Sequence, residues 1–249
     1  MATKKPAHRQ QSAPVYNFKF RKHRFSVLLD DVLIFRFFRR LHGRFWGLAG
    51  ILGLTFGLSV CFMIRPDMLM LSTAFSDFGL DVRTAPFFVL SVFFAAYGLW
   101  RWRNYLSRTL KRQQPILTLI TFTIIGLYMV ALAPVSWHPW PYKIHFLGMT
   151  IVGVSMAATV IFDILLSKTR KKQDAYRTRI IKLVAFASII IGGFFTFGSS
   201  SAIHWFNVAL LGELWMLFGY SIWIALKTFQ GEDPRSALSR QLKKIVLID

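Results

Sequence analysis

The whole chain holds one cysteine, Cys61, so neither an intrachain disulfide nor a cysteine-based metal cluster is expected. Acids are scarce as well, with 11 Asp and Glu against 31 Lys and Arg, a formal charge of +20. No zinc-ligand spacing or nucleic-acid motif accompanies that charge, which argues against nucleic acid as the partner. A secretory signal peptide is not expected, because the first apolar block follows a basic leader of about 44 residues. Missing, finally, is the regular alternation of apolar and polar residues that a water-soluble core requires. The 54% of hydrophobic residues is gathered instead into blocks almost free of charge.

Each block has the length that a helix needs to cross about 30 Å of hydrocarbon, roughly 20 residues. The spans predicted are residues 45–64, 85–102, 115–135, 144–166, 180–198 and 203–226, with a polar tail over residues 227–249. The fold class is therefore all-α, a polytopic six-helix membrane bundle. Pro115 falls in a first helical turn, where its missing N–H costs nothing. Gly53 and Gly57 make a small-xxx-small pair suited to close helix contact.

Basic residues sort by connection. Of the 31, only Arg65, Arg83 and Lys143 lie on the first, third and fifth connections or their edges, and Lys182 lies just inside the fifth span. The rest fall on the leader, the second and fourth connections and the tail, so both termini are expected in the cytoplasm, with the plasma or inner membrane as the location. Residues 1–17 read as a disordered basic leader. Residues 18–44 interleave Phe and Leu with Arg21, Lys22, Arg24, Arg36, Arg39 and Arg40, the pattern of an amphipathic helix lying on anionic headgroups at the cytoplasmic face.

That orientation gathers Asp77, Asp81, His138, His145 and His204 on the outer side, beside Trp137, Trp140 and Trp205. Such a polar cap suits headgroups, a membrane-protein partner, or acid/base work on a lipid. It equally suits the solvated rim of an aromatic belt. No pair has the spacing that sets two metal ligands on one helical face, so no metal and no cofactor is expected.

Two acids lie inside spans, where a charge costs roughly 2.5–3.5 kcal/mol on insertion scales. Asp163 is near the cytoplasmic end of the fourth span, within reach of Lys182 or Lys168. Glu213, counted from a span start near residue 203, is placed roughly 15 Å deep, level with Tyr97, Tyr128 and Ser155 as hydrogen-bonding candidates. It reads either as a proton or ligand group or as an interhelical packing bond. His145 and Asp163 stand five helical turns apart on one face with Met149, Val152, Met156 and Thr159 between them. That stripe suits packing or acyl chains better than conduction.

The segment STAFSDFGLDVRTAPFF (residues 72–88), with its Ser-Asp-x-Gly core at Ser76 to Gly79, resembles the corresponding loop of the DRAM/FRAG-like membrane proteins and the related bacterial domain-of-unknown-function family 998. APVSWHPWPYKIHF (residues 133–146) is similar to the latter family's Pro-containing loop before a His near a helix start, and Glu213 to an acid in its last span. The resemblance, over residues 45–226, implies a six-helix bundle and a part in membrane-lipid organisation, with no catalytic residues to carry over. The expected function is a non-enzymatic protein interacting with lipid or a membrane partner. The alternatives are a proton-coupled small-solute transporter using Glu213, and an intramembrane lipid-modifying hydrolase using the His and Asp residues of the outer cap.

Overall fold

Why six blocks of this kind become six helices follows from the solvent: in hydrocarbon every main-chain N–H and C=O must be paired within the segment. The computed structural model describes residues 41–109, 114–133, 139–166, 172–199, 205 and 207–229. Among them are six helices long and apolar enough to cross a membrane, and no strand. They are α1 (Trp46–Ile64), α2 (Ala85–Thr109), α3 (Gln114–Leu132), α4 (Pro139–Leu166), α5 (Lys172–Gly198) and α6 (Ala209–Phe229). The protein is an all-α, multi-pass integral membrane protein. The leader with Arg21, Lys22, Arg24, Arg36, Arg39 and Arg40, the residues His138 and His204, and the tail beyond residue 229 lie outside the described residues.

Large apolar side chains such as Leu52, Phe56, Met63, Leu90 and Leu165 point away from the bundle. In water they would drive collapse, whereas in a bilayer they meet acyl chains as apolar as themselves. Association must then come from close packing, which small residues permit.

The glycines show where that packing occurs. Along α1, Gly47, Gly50, Gly53 and Gly57 face Trp102, Ala95 with Gly98, Phe94 and Ser91 of α2 in turn. Partner numbers fall as glycine numbers rise, so the two helices run antiparallel. A Cβ on Gly98 would stand 2.7 Å from the Gly50 Cα, closer than two carbons can approach. Gly126 and Gly148 join α3 to α4 in the same manner, and Gly192, Gly212 and Gly219 join α5 to α6. The Gly53/Gly57 pair seen in the sequence is thus one part of a seam running the length of α1.

Three tight hairpins result, and they close into a ring. The α2 helix packs on α3 and α6 on α1, while α4 meets α5 over a much shorter stretch than the partners within any hairpin. One end of the ring carries the α1–α2 connection, residues 65–84, and is called here the loop end. The opposite end carries Arg101, Arg103, Arg108, Arg177 and Arg179 and is called the basic end.

Several helices outrun their expected spans. The α2 helix continues to Thr109 with Trp102 and Leu106 buried, α4 begins at Pro139, and α5 begins at Lys172. Hydropathy marks where a chain leaves hydrocarbon, but a helix with satisfied main-chain bonds continues into water. The last helix differs in the other direction: it begins at Ala209 and not near residue 203.

Candidate functional site

The loop end is built from the α1–α2 connection folded down onto the bundle. Arg65 ends α1, its N–H donating to Cys61 O (2.9 Å), and Pro66 opens a short 3-10 turn at Pro66–Met68. The Arg65 guanidinium then reaches Asp67 (2.7 Å) on one side and Asp81 on the other, tying both ends of the connection together. The hydrogen bond from Arg65 lowers the Asp67 carboxyl below its ordinary value, and the same bond raises Arg65. Asp81 also starts α2: its Oδ1 accepts from Arg83 N–H (2.8 Å) and its main-chain oxygen from the Thr84 and Ala85 N–H groups.

A second 3-10 turn, Phe75–Gly79, holds the Ser-Asp-x-Gly core. Phe78 is fully buried in a cluster with Leu58, Cys61, Phe88, Val92, Val130 and Ala131, so this loop residue is part of the bundle core. The buried Thr84 hydroxyl donates to Phe78 O (2.7 Å) and fixes the turn from behind. Asp77 Oδ2 accepts from Ala74 N–H (2.8 Å). Burial pushes the Asp77 carboxyl above its ordinary value, against the opposing pull of that N–H and of His145.

Two hydrogen bonds, each donated by a main-chain N–H, fasten this loop to α6. Leu210 N–H donates to Leu71 O (3.1 Å), satisfying one of the first-turn donors that a helix leaves unpaired. Phe75 N–H donates to Glu213 Oε2 (2.5 Å). Glu213 is itself 6% exposed, and Asp77 lies close enough to interact electrostatically with both Glu213 and His145. His145 Nδ1 is 2.7 Å from Ala133 O. A carbonyl only accepts, so Nδ1 carries the proton, and Nε2 is left buried with no hydrogen-bond partner among the described residues.

Beneath the loop is a cavity of about 90 Å³ inside the ring. Its walls include Leu54, Leu58, Leu127, Met149, Val152 and Met156, and Glu213 with Ser76 supplies its polar edge. Met149, Val152 and Met156, the middle of the stripe between His145 and Asp163, therefore form one wall of an apolar chamber. Away from that edge its walls offer a water none of the two to four polar partners it needs.

The expected partners of Glu213 are elsewhere. Because α6 starts at Ala209, Glu213 lies about one helical turn, roughly 6 Å, below the helix start and not 15 Å deep. Tyr97 packs its ring against Trp46 (5.3 Å) and Tyr128 against Phe93 (5.4 Å), while the Ser155 hydroxyl bonds to Thr123 (2.8 Å). Tyr220, buried, stands beside Thr123 and Thr159 in that mid-bundle polar node.

At the basic end the other buried acid has its own environment. Asp163, fully buried, is 2.9 Å from Lys182 Nζ and 2.6 Å from Lys227 Nζ, and Trp223 Nε1 donates to its Oδ2 (3.0 Å). Lys182 was anticipated as its partner, and Lys168 lies outside the described residues. Lys227 and Trp223 were missed because Lys227 was read as the first residue of the tail. The signal was the seven-residue spacing of Glu213, Tyr220 and Lys227, two helical turns apart along one face of α6.

Among the described residues no group of three or more His, Cys, Asp or Glu side chains is placed to hold a metal ion. No family model, curated protein or solved structure matches this chain.

Proposed function

We propose that this is a non-enzymatic membrane protein that interacts with lipid, its termini in the cytoplasm and its leader on anionic headgroups. The carrying observation is the division of the bundle interior. Among the described residues the buried charged groups lie toward the two ends and are held by partners within the protein, while buried hydroxyls such as Ser91 and Ser188 bond to their own helix, and an apolar chamber lies beside Glu213. A conducting path wants polar groups between its ends, and transporters place their site at broken helices near the midplane. Here the described helices run unbroken, and large apolar side chains face outward. The likeness of the first loop to DRAM/FRAG-like proteins supports the same reading.

The test is reconstitution of the full chain in phosphatidylcholine vesicles with and without an anionic lipid. Thermal stability is expected to rise with anionic lipid and to lose that increment, in a salt-dependent way, when Arg21, Lys22, Arg24, Arg36, Arg39 and Arg40 are changed to Gln, since each basic residue near the surface contributes about 1 kcal/mol. Indifference to lipid charge would overturn the leader's role. The proton-coupled transporter remains the second reading, because Glu213 does line the chamber. Proton flux into these vesicles that disappears in Glu213→Gln would put it first.

A further inference from the structure

A second opening lies where two neighbouring hairpins of the ring meet only briefly. Between α4 and α5 lies an apolar groove of about 280 Å³, walled by Val154, Ala157, Ile190 and Phe194 and ending at Trp205. Small residues make it: a Cβ on Gly193 would meet nothing nearer than Met216 Sδ at 4.0 Å. Val154, Ile190, Phe194 and Trp205 are exposed, so the groove opens sideways toward hydrocarbon and not into the ring. At about 30 Å³ for a water-sized group it has room for roughly nine, too large an opening to be left empty in a bilayer.

What fills it is indicated by charge at its upper end. Lys143, Phe146, Thr150, Gly153 and Ala157 follow the alternating three- and four-residue spacing of one helical face. The Phe146 ring meets Phe197 of α5 (6.0 Å), which turns that face toward the groove. Lys143 stands ten residues, roughly 15 Å, from Gly153, about half the hydrocarbon thickness. Its ammonium lies over the Trp140 ring (5.3 Å), an exposed cation on an interfacial aromatic, and residues 133–143 contain no acid to neutralise it.

We infer that the α4/α5 groove holds one acyl chain of a membrane phospholipid whose phosphate is taken by Lys143, with Trp140 and Trp205 at the level of the glycerol. The inference rests on the lipid-interacting reading above and names its site. A cation at headgroup height and an apolar slot reaching the midplane match the two halves of one phospholipid. A neutral lipid would use the slot and leave the ammonium unused.

The experiment uses the full chain in phosphatidylcholine nanodiscs doped with photoactivatable probes carrying a mid-chain diazirine, one a phosphatidylglycerol and the other a diacylglycerol. Labelled residues are mapped by mass spectrometry. The expected result is severalfold enrichment of the phosphatidylglycerol label on residues 153–157 and 190–197 over other lipid-facing surface. Gly193→Leu, which fills the groove, should lower it severalfold, and Ile190→Ala, which widens it, should not. Lys143→Gln should lower labelling by phosphatidylglycerol alone. Equal labelling by both probes, unmoved by Lys143→Gln, would overturn the phospholipid assignment. Enrichment on another helix face would overturn the groove and leave the lipid reading standing, whereas uniform labelling with no headgroup preference would remove both.

Discussion

The bundle buries an acid at each end, and the two are handled differently. Asp163, at the basic end, is neutralised by two lysines and a tryptophan N–H, all from helices. Glu213, at the loop end, has no lysine or arginine among its described partners; it accepts a main-chain N–H from a loop and lies near a second acid, Asp77. The basic-end cluster links three helices that are also held by their own packing. The Glu213 contact links a helix to the connection between α1 and α2. Buried charge in membranes is costly in either case, and the two ends meet that cost with different kinds of partner.

The largest effect should come from breaking the basic end. Asp163→Ala leaves Lys182 and Lys227 buried without a counter-charge, and the loss expected is about 3–5 kcal/mol. Thermal unfolding in detergent measures it, and a loss below that of Glu213→Leu would reverse the comparison.

Next comes the loop latch. Glu213→Leu leaves the Phe75 N–H unpaired at a cost of about 1–3 kcal/mol. Glu213→Gln, which keeps an acceptor oxygen, should cost less than Glu213→Leu. Amide exchange at Phe75 is the direct readout and should quicken in Glu213→Leu far more than in Asp163→Asn. Equal protection in all three proteins would mean that the acid does not hold the loop.

A smaller change is expected from Lys227→Met. Asp163 then keeps Lys182 and becomes a neutral pair, so stability should fall much less than in Asp163→Ala. Comparable losses would show that Lys227 and not Lys182 is the principal counter-charge.

The smallest effect depends on pH. Burial holds the Asp77 carboxyl above its ordinary value, so the folded state keeps the proton longer than the unfolded one. Below the ordinary carboxyl range both states are protonated and Asp77 costs nothing. As pH rises from that range through the folded value, its cost appears and then stays constant. Asp77→Asn should therefore match the parent protein at low pH and become slightly more stable above the window, read as melting temperature against pH.

Sequence and structure divide the explanation between them. The six spans were legible because a helix crossing hydrocarbon needs an unbroken apolar run, a property local to the chain. The Asp163–Lys182 pair was legible because a buried charge demands a partner and few were near. The glycine seams were legible only in part, through Gly53 and Gly57, since a small residue shows its use only when the facing helix is known. The depth of Glu213 was misjudged because apolar composition continues before Ala209 while the helix does not, and nothing in hydropathy marks that start. For the same reason Tyr97, Tyr128 and Ser155 were grouped by level along the membrane normal, whereas meeting also requires the right rotation about each helix axis. The polar cap divides accordingly: Asp77 and His145 come together near Glu213, Asp81 binds Arg65 instead, and His138 and His204 lie outside the described residues.

By itself, then, the sequence determined the number of crossings, the membrane as solvent and the existence of two costly interior acids, all consequences of composition over runs of about 20 residues. Only the tertiary structure decided that one acid is neutralised by lysines while the other holds a loop, that an apolar chamber lies beside the second, and that α4 and α5 leave a groove between them. Those outcomes depend on which helix faces which and at what rotation, set by contacts between residues far apart in the chain.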